Sequence, residues 1–187
     1  MHPVLAYTDR IVKLDPPARD ELLQAFVRQE FPKGTCLLRA GQVSQHYHFI
    51  EQGLVKSSFY KEDKEFIMTF FKETILFTEI NSYLTSAPSK YQLLALEPTT
   101  VYSIARPDIE RLCHRHHAVE TLFRQLLAFA SVGMMKRISE MLEENATTRY
   151  QLFVQEKAPL LQRISLGDLA AYLGITQVSL SRIRAGR

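Results

Sequence analysis

The sequence has no tryptophan, seven glycines and only two cysteines, Cys36 and Cys113. The cysteines lie far apart and form no CxxC pair. That excludes a disulfide framework and a zinc ribbon, and it fits a reducing compartment. No apolar run approaches the roughly 20 residues needed to span a bilayer. The opening MHPVLAYTDR has no basic leader followed by an apolar stretch. No secretion signal is expected, and the expected location is the cytoplasm, away from membranes. GxGxxG and P-loop motifs are missing, and no Ser/His/Asp set or carboxylate pair stands out, so catalysis is not expected. Without a secretory route, the sequon at Asn145 is read as chance.

What is present is ample material for a core. Of 187 residues, 46% are apolar and 23% charged, which indicates packing rather than disorder. The net charge is only +3, but it is unevenly placed. From residue 163 onward there are four arginines (Arg163, Arg182, Arg184, Arg187) and one acid, Asp168, which accounts for the whole excess. A locally basic end is the minimum footprint for a polyanion partner.

The apolar pattern changes twice along the chain. Ala18 to Arg28 reads as a short amphipathic helix, with Leu22, Leu23, Phe26 and Val27 on one face. From Thr35 to Ile104, short runs alternate with turn signals: TCLLRAG, HYHFIEQG, LVKSSFY, FIMTFF, YQLLALE and TTVYSIA. Strands of that length and spacing indicate an all-β sandwich or barrel. After Pro107 comes a short helix, PDIERLCHRHH. A helix of about 27 residues, from Ala118 to Glu144, then carries apolar residues three and four apart: Phe123, Leu127, Ala130, Met134, Ile138 and Met141. A second stripe runs through Leu122, Leu126, Phe129 and Met135. Two stripes need two covers. We expect the barrel to be one and a second copy of the helix the other, with Phe123, Leu127, Met134, Ile138 and Met141 at the dimer interface. The alternative is a helix buried in its own domain.

The last forty residues hold further helices. SLGDLAAYLG begins with Ser165 as N-cap and Asp168 three residues on, close to a capping box. Gly174 tolerates the turn, and Thr176 can cap a second helix. Ala170 is small where two helices would cross, and Leu169, Leu173, Ile175, Leu180 and Ile183 supply an inner face. This is the register of a helix-turn-helix. Gln177, Val178, Ser181, Arg182 and Arg184 are left outward, including an amide and guanidinium groups able to pair with base edges. Thr176 and Ser179 stand where phosphate contacts are made. A helical hairpin that simply packs on the barrel remains the alternative.

In this order of elements, the chain resembles the cyclic-AMP receptor protein and fumarate-nitrate regulator (Crp/Fnr) superfamily of transcription factors. The resemblance is carried by KGTCLLRAGQVSQHYHFIEQGLVK, FTEINSYLTSAPS and YLGITQVSLSRIR. It looks closest to a branch common in Bacteroidetes. It implies an α+β fold: a cyclic-nucleotide-binding-like β-roll (a jelly-roll barrel) at residues 1–117, a long dimerisation helix at 118–144, and a helix-turn-helix domain at 145–187. It further implies a homodimer on palindromic DNA, with RNA polymerase as a further partner, and Gln177, Val178 and Arg182 at base-reading positions.

The nucleotide pocket that the resemblance implies is degenerate. Glu79 holds the ribose-binding position, but Thr78 replaces the preceding Gly, and Thr74-Ile75 replaces a tight Gly-Asp turn. Ser89 stands in place of the phosphate-binding Arg, and Lys90 in place of the following Ser. A buried cyclic phosphate would lack its two-pronged cation, so cyclic AMP is not expected to bind. Only Cys36 lies near the N-terminus, too few for an iron–sulfur cluster, and no residue marks a haem ligand, so no cofactor is expected. The effector is an unidentified small molecule or none.

Two other patterns invite a metal reading. His46 and His48 share one face of a strand, with Glu51 nearby, which resembles a cupin-like metal-binding barrel. Cys113 and His117 would sit one turn apart on a helix. Neither pattern completes a site, and no metal is expected.

Overall fold

A computed structural model describes residues 2–186 of the chain. Two short helices come first, α1 (Pro3–Thr8) and α2 (Pro16–Ala25). Asp15 caps α2 through the Ala18 N–H, and proline occupies its first turn, where a missing N–H costs nothing. The helix expected to reach Arg28 stops at Ala25. Phe26 is already extended, and Val27–Phe31 forms β1, pairing antiparallel along β8 (Thr99–Ala105). Sheet pairing there overrides a helical apolar spacing.

The β-roll consists of two four-stranded antiparallel sheets. One has the order β1, β8, β3 (His46–Gln52) and β6 (Leu76–Phe77). The other has the order β2 (Cys36–Leu38), β7 (Gln92–Ala95), β4 (Val55–Lys61) and β5 (Lys64–Phe71). Six of these strands lie in the six expected runs, and β1 and β6 add to them. Gly53, at φ 111°, turns the chain between β3 and β4, and Thr99 occupies the space a Cβ there would need. A short helix, α3 (Ile80–Thr85), follows β6.

Helices α4 (Arg106–Arg115) and α5 (His117–Glu143) follow β8. The break between them falls at His116, whose backbone is extended. The first third of α5 belongs to the roll: Val119, Leu122 and Leu126 are buried in one cluster with Val4, Leu22, Tyr47, Phe49 and Ile104. Beyond α5 come α6 (Ala146–Lys157), a 3₁₀ turn (Ala158–Gln162), α7 (Leu166–Leu173) and α8 (Gln177–Arg184). Asn145, read in the sequence as a chance sequon, caps α6 through the Thr148 N–H.

The C-terminal helices are packed on the roll. Leu54, Ile67 and Phe70 share a core with Phe153, Leu160, Leu169, Tyr172, Leu173 and Leu180. The hydrophobic clusters therefore cross both expected boundaries, at 117/118 and 144/145. No helix of the described residues is long and apolar enough to cross a membrane.

Candidate functional site: an outward helix and a groove

Helix α7 begins with a complete capping box. The Ser165 hydroxyl accepts from the Asp168 N–H at 3.0 Å, and the Asp168 carboxylate accepts from the Ser165 N–H at 3.2 Å. Gly174 ends α7 in the left-handed conformation, φ 72°. The chain then turns through Ile175, whose N–H bonds the Ala170 carbonyl at 3.1 Å. Thr176 caps α8 by accepting from the Ser179 N–H at 3.1 Å. Leu169, Ala170, Leu173 and Leu180 are buried, so the inner faces of both helices are locked. Gln177, Val178, Ser181, Arg182 and Arg184 are exposed along α8. The Thr176 and Ser179 hydroxyls lie 3.0 Å apart and are engaged in the cap. Arg187, counted in the basic end, lies outside the described residues.

Arginines tie this unit to the rest of the chain. The last carbonyls of α7 have no partner within the helix. Arg149 of α6 donates to the Leu173 carbonyl at 3.2 Å, and Arg137 of α5 donates to the Tyr172 carbonyl. The Arg137 guanidinium also lies 3.9 Å from the centre of the Tyr172 ring. On the roll side, Lys56 of β4 is nearly fully buried and donates to Asp168 at 2.8 Å and Glu65 at 2.9 Å. Arg163 bridges Glu73 and Glu97 with contacts of 2.6–3.3 Å. These bonds, with the charge of both carboxylates, hold its guanidinium far above its ordinary pKa.

A groove of about 620 Å³ lies where the roll, α5 and the C-terminal unit meet. Its roll wall includes Phe70, Phe77, Thr78 and Glu79, and its helix wall Leu126, Phe129, Met134 and Ile138. Tyr172 and Lys157 line it from the C-terminal unit. Of the three expected pocket residues, only Glu79 lines it. Its carboxylate caps α3, accepting from the Asn81 and Ser82 N–H groups at 3.1 and 3.0 Å. The other two do not line the groove. The Ser89 hydroxyl is closed on the Tyr91 backbone, accepting from its N–H at 2.9 Å and donating to its carbonyl at 3.0 Å. Lys90 is exposed, with its ammonium 5.3 Å from the centre of the Tyr91 ring. The two substitutions at the phosphate-binding position thus bring no cation into the groove.

The apolar residues of α5 divide by face. Phe123 packs edge-on against Tyr47, with ring centres 5.2 Å apart. Met134 and Ile138 line the groove, and the Met141 methyl sits beside Gly174. Of the five residues expected at a dimer interface, Met134, Ile138 and Met141 are 52%, 50% and 40% exposed, and Phe123 and Leu127 are half-buried. Val132, Met135 and Leu142 do not line the groove and are 70%, 67% and 81% exposed. The residues 128, 132, 135, 139 and 142 form a regular 4-3-4-3 line that sequence reading missed. Its apolar members are interrupted by Ser139, which hid the period.

The two patterns that invited a metal reading are not assembled into a site among the described residues. His48 is buried, and its Nδ1 lies 2.7 Å from the Ser103 hydroxyl. Glu51 turns away to Arg28 at 3.1 Å and the Tyr102 hydroxyl at 3.2 Å. Cys113 and His117 fall on separate helices because the chain breaks at His116. Among the described residues, no group of three His, Cys, Asp or Glu side chains is placed to hold a metal ion.

Residues 28–116 match the family model of the cyclic nucleotide-binding domain. Among solved structures, FixK2 from Bradyrhizobium japonicum superposes with a TM-score of 0.74 at 18% identity, covering 86% of this chain and 83% of that one. A CooA variant from Carboxydothermus hydrogenoformans gives 0.71 at 17% identity, with coverage of 88% and 77%. A protein from Eubacterium rectale described as a regulator of the Crp/Fnr family gives 0.73 at 14% identity, with coverage of 92% and 83%. The chain has the fold of the Crp/Fnr regulators. No curated protein sequence matches it. Within the Crp/Fnr fold, the groove lies between roll and long helix, and α7 and α8 form its C-terminal unit.

Proposed function

We propose that this chain is a DNA-binding transcription regulator of the Crp/Fnr type, acting in the cytoplasm as a homodimer on palindromic DNA. The observation that carries the reading is α8. Its inner side is anchored by buried Leu180, while Gln177, Val178, Ser181, Arg182 and Arg184 stand in solvent on a basic terminal helix. Such a helix fits the major groove, where amide and guanidinium groups distinguish adenine and guanine edges. A dimer would present two such helices to half-sites about one turn, ~34 Å, apart. The exposed line Val132, Met135 and Leu142 on α5 is the surface we assign to the partner copy, in preference to the residues that line the groove. Ser89 and Lys90, at the position expected to bind phosphate, do not line the groove, which supports a reading in which cyclic AMP is not the effector.

Selection of binding sites from random DNA tests the class. Enrichment of a palindrome is expected. Arg182→Ala should weaken binding to the selected site by about 1–3 kcal/mol without changing the melting temperature. A folded protein that enriches no sequence would refute the reading.

A further inference from the structure

We infer that His116 and Glu21 form a proton-operated clamp that ties α2 to the break between α4 and α5, tight when the imidazole is charged and loose when it is neutral. His116 ends α4 and opens α5 with extended backbone, and its side chain makes no cap bond to either helix. Ser, Thr, Asp or Asn at that place would cap the start of α5. The His116 ring is turned to α2 instead, where its Nε2 lies 3.3 Å from one oxygen of the Glu21 carboxylate. Both atoms are buried, and neither has a hydrogen-bond partner among the described residues. Buried polar atoms are seldom left so, and two that face each other call for a proton between them.

The charged groups around this pair come from three helices. On α4, Arg115 lies 3.1 Å and Arg111 3.9 Å from the same Glu21 oxygen, and Arg111 is shared with Asp108 at 2.9 Å. On α5, Glu120 lies 3.9 Å from His117 and 3.6 Å from Arg124. Glu120 and Glu110 also act on the Cys113 thiol, whose pKa is raised first by burial. The Arg115 and Arg111 side chains are 60% and 47% exposed, so water screens them, whereas His116 is 14% exposed. The C-terminal end of α4 favours a charged ring and the N-terminal end of α5 opposes it, which leaves Glu21 to decide. A neutral ring with its proton on Nδ1 would set acceptor against acceptor, and the two side chains would part. The imidazolium always donates from Nε2 and adds its charge to the bond. Histidine is the side chain that changes charge between pH 5 and 8, so the clamp tightens as pH falls through that range. Leu22, beside Glu21, shares one buried cluster with Val119 and Leu122, so release of Glu21 reaches the root of α5. Any effect on DNA rests on the regulator reading, but the clamp does not.

The test is a double-mutant cycle on the full chain, with Glu21→Gln, His116→Gln and the pair together, read by urea unfolding at pH 5.5 and pH 8. Glutamine keeps the shape of the acid at 21 and a neutral donor at 116. Other titrating groups, His48 among them, are common to all four proteins and cancel in the cycle. The coupling should multiply the folding equilibrium constant about tenfold at pH 5.5 and no more than about threefold at pH 8. The sign follows from linkage: a base whose proton is held more tightly in the folded chain contributes stability at low pH and loses it as pH rises. Where a variant fails to fold, the parent decides by nuclear magnetic resonance of its six histidine rings. The assigned His116 ring should gain its charge between pH 8 and pH 5.5. The Val119 and Glu120 amides, bonded to the His116 carbonyl at 2.9 and 3.2 Å, should then be protected from exchange about threefold or more over their pH 8 state.

The inference is overturned if the coupling is absent, if it is equal at the two pH values, or if it is larger at pH 8. Equal coupling would make the pair a fixed hydrogen bond. It is also overturned if the His116 ring keeps one charge state throughout, or if it charges with no change in the protection of the two amides. Anisotropy of labelled duplex DNA, read in parallel, separates the two ideas. A protein that binds no DNA but keeps the pH-dependent coupling sinks the regulator reading alone.

Discussion

Lys56→Met removes the cation that joins β4 to the first helix of the C-terminal unit. In the parent, the Lys56 ammonium lies 2.8 Å from Asp168 and 2.9 Å from Glu65, with its side chain 7% exposed. Methionine fills nearly the same volume, so packing is spared and the charge change dominates. Removing one partner of a buried ion pair typically costs about 3–5 kcal/mol, because a carboxylate is stranded. Asp168 and Glu65 keep some access to water, at 14% and 20% exposure, which sets the expectation near ~3 kcal/mol. For a chain of this length, that corresponds to a fall of roughly 6–12 °C in melting temperature. The deficit also has a pH signature. Burial alone would raise the Asp168 pKa, but the hydrogen bonds from Lys56 and Ser165 and the Lys56 charge outweigh it and hold the carboxyl below its ordinary value. A depressed acid contributes stability above its unfolded pKa, about 3.9, and loses it as pH falls through the folded value. In Lys56→Met the stranded Asp168 carboxylate can take up a proton, so the gap to the parent should be widest near neutrality and close as pH falls toward 4 and below. Urea unfolding at several pH values measures it. A deficit under about 1 kcal/mol, or one constant from pH 7 to pH 3, would refute the view that this ion pair holds the unit to the roll.

Gly53→Ala should cost about 3 kcal/mol or more, because its Cβ would lie 2.4 Å from the Thr99 hydroxyl and 2.7 Å from the Thr99 Cα at a φ of 111°; thermal melting checks this. Gly174→Ala should cost only about 1 kcal/mol in the same assay, since the atom it meets, at 3.1 Å, is the flexible end of Met141. His48 is held neutral, its pKa pushed down to about 3 by burial and then by the charge of His46. The unfolded chain takes up a proton there below about pH 6.5, so the parent should lose up to about 1.4 kcal/mol per pH unit from this group below that point. In denaturant titrations, His48→Gln should be less stable at pH 7 and should narrow the gap by pH 5. Val132→Glu or Leu142→Glu should shift the protein toward monomer in light scattering, whereas the same change at the far side of α5 should not; a dimer unaffected by both would remove this line of α5 from the interface.

Strands announced by alternation and punctuated by turns were legible in the sequence, which is why six of the eight were anticipated. The two others had no such mark. Val27–Phe31 continues the apolar spacing of α2 and becomes a strand only by lying along β8, with Val27 opposite Ser103 and Phe31 opposite Thr99. Leu76–Phe77 is two residues long and exists through its pairing with β3. The change of helix was anticipated at 117/118, close to the extended His116, although CHRHH contains neither proline nor glycine. What stands there is Glu21 of α2, 3.1 Å from Arg115, which lies 94 residues on in sequence.

The C-terminal hairpin shows why a sequence pattern can support two readings at once. Its outward positions suggested nucleic acid, and its apolar positions suggested packing on the barrel. The structure divides these between faces: α7 shares a core with β5, where the Tyr172 and Phe70 ring centres lie 5.4 Å apart, and α8 keeps its polar side in solvent. Strand alternation would have placed Lys56 on the wet side of a sheet, and nothing local contradicts that. Only the fold brings it to Asp168, 112 residues on. Asp168 thereby serves two elements, closing the capping box of α7 and pairing with the roll. A displacement of the unit from the roll would take Asp168 from Lys56, leaving Lys56 with Glu65 alone, and would open the core formed by Phe70, Tyr172 and Leu173. Because Tyr172 of α7 also lines the groove and carries Arg137 on its face, a movement of α7, and of α8 packed on it, would reshape that wall of the groove. Whatever fills that groove acts on the orientation of α8 only to the extent that it binds the two arrangements with different affinity.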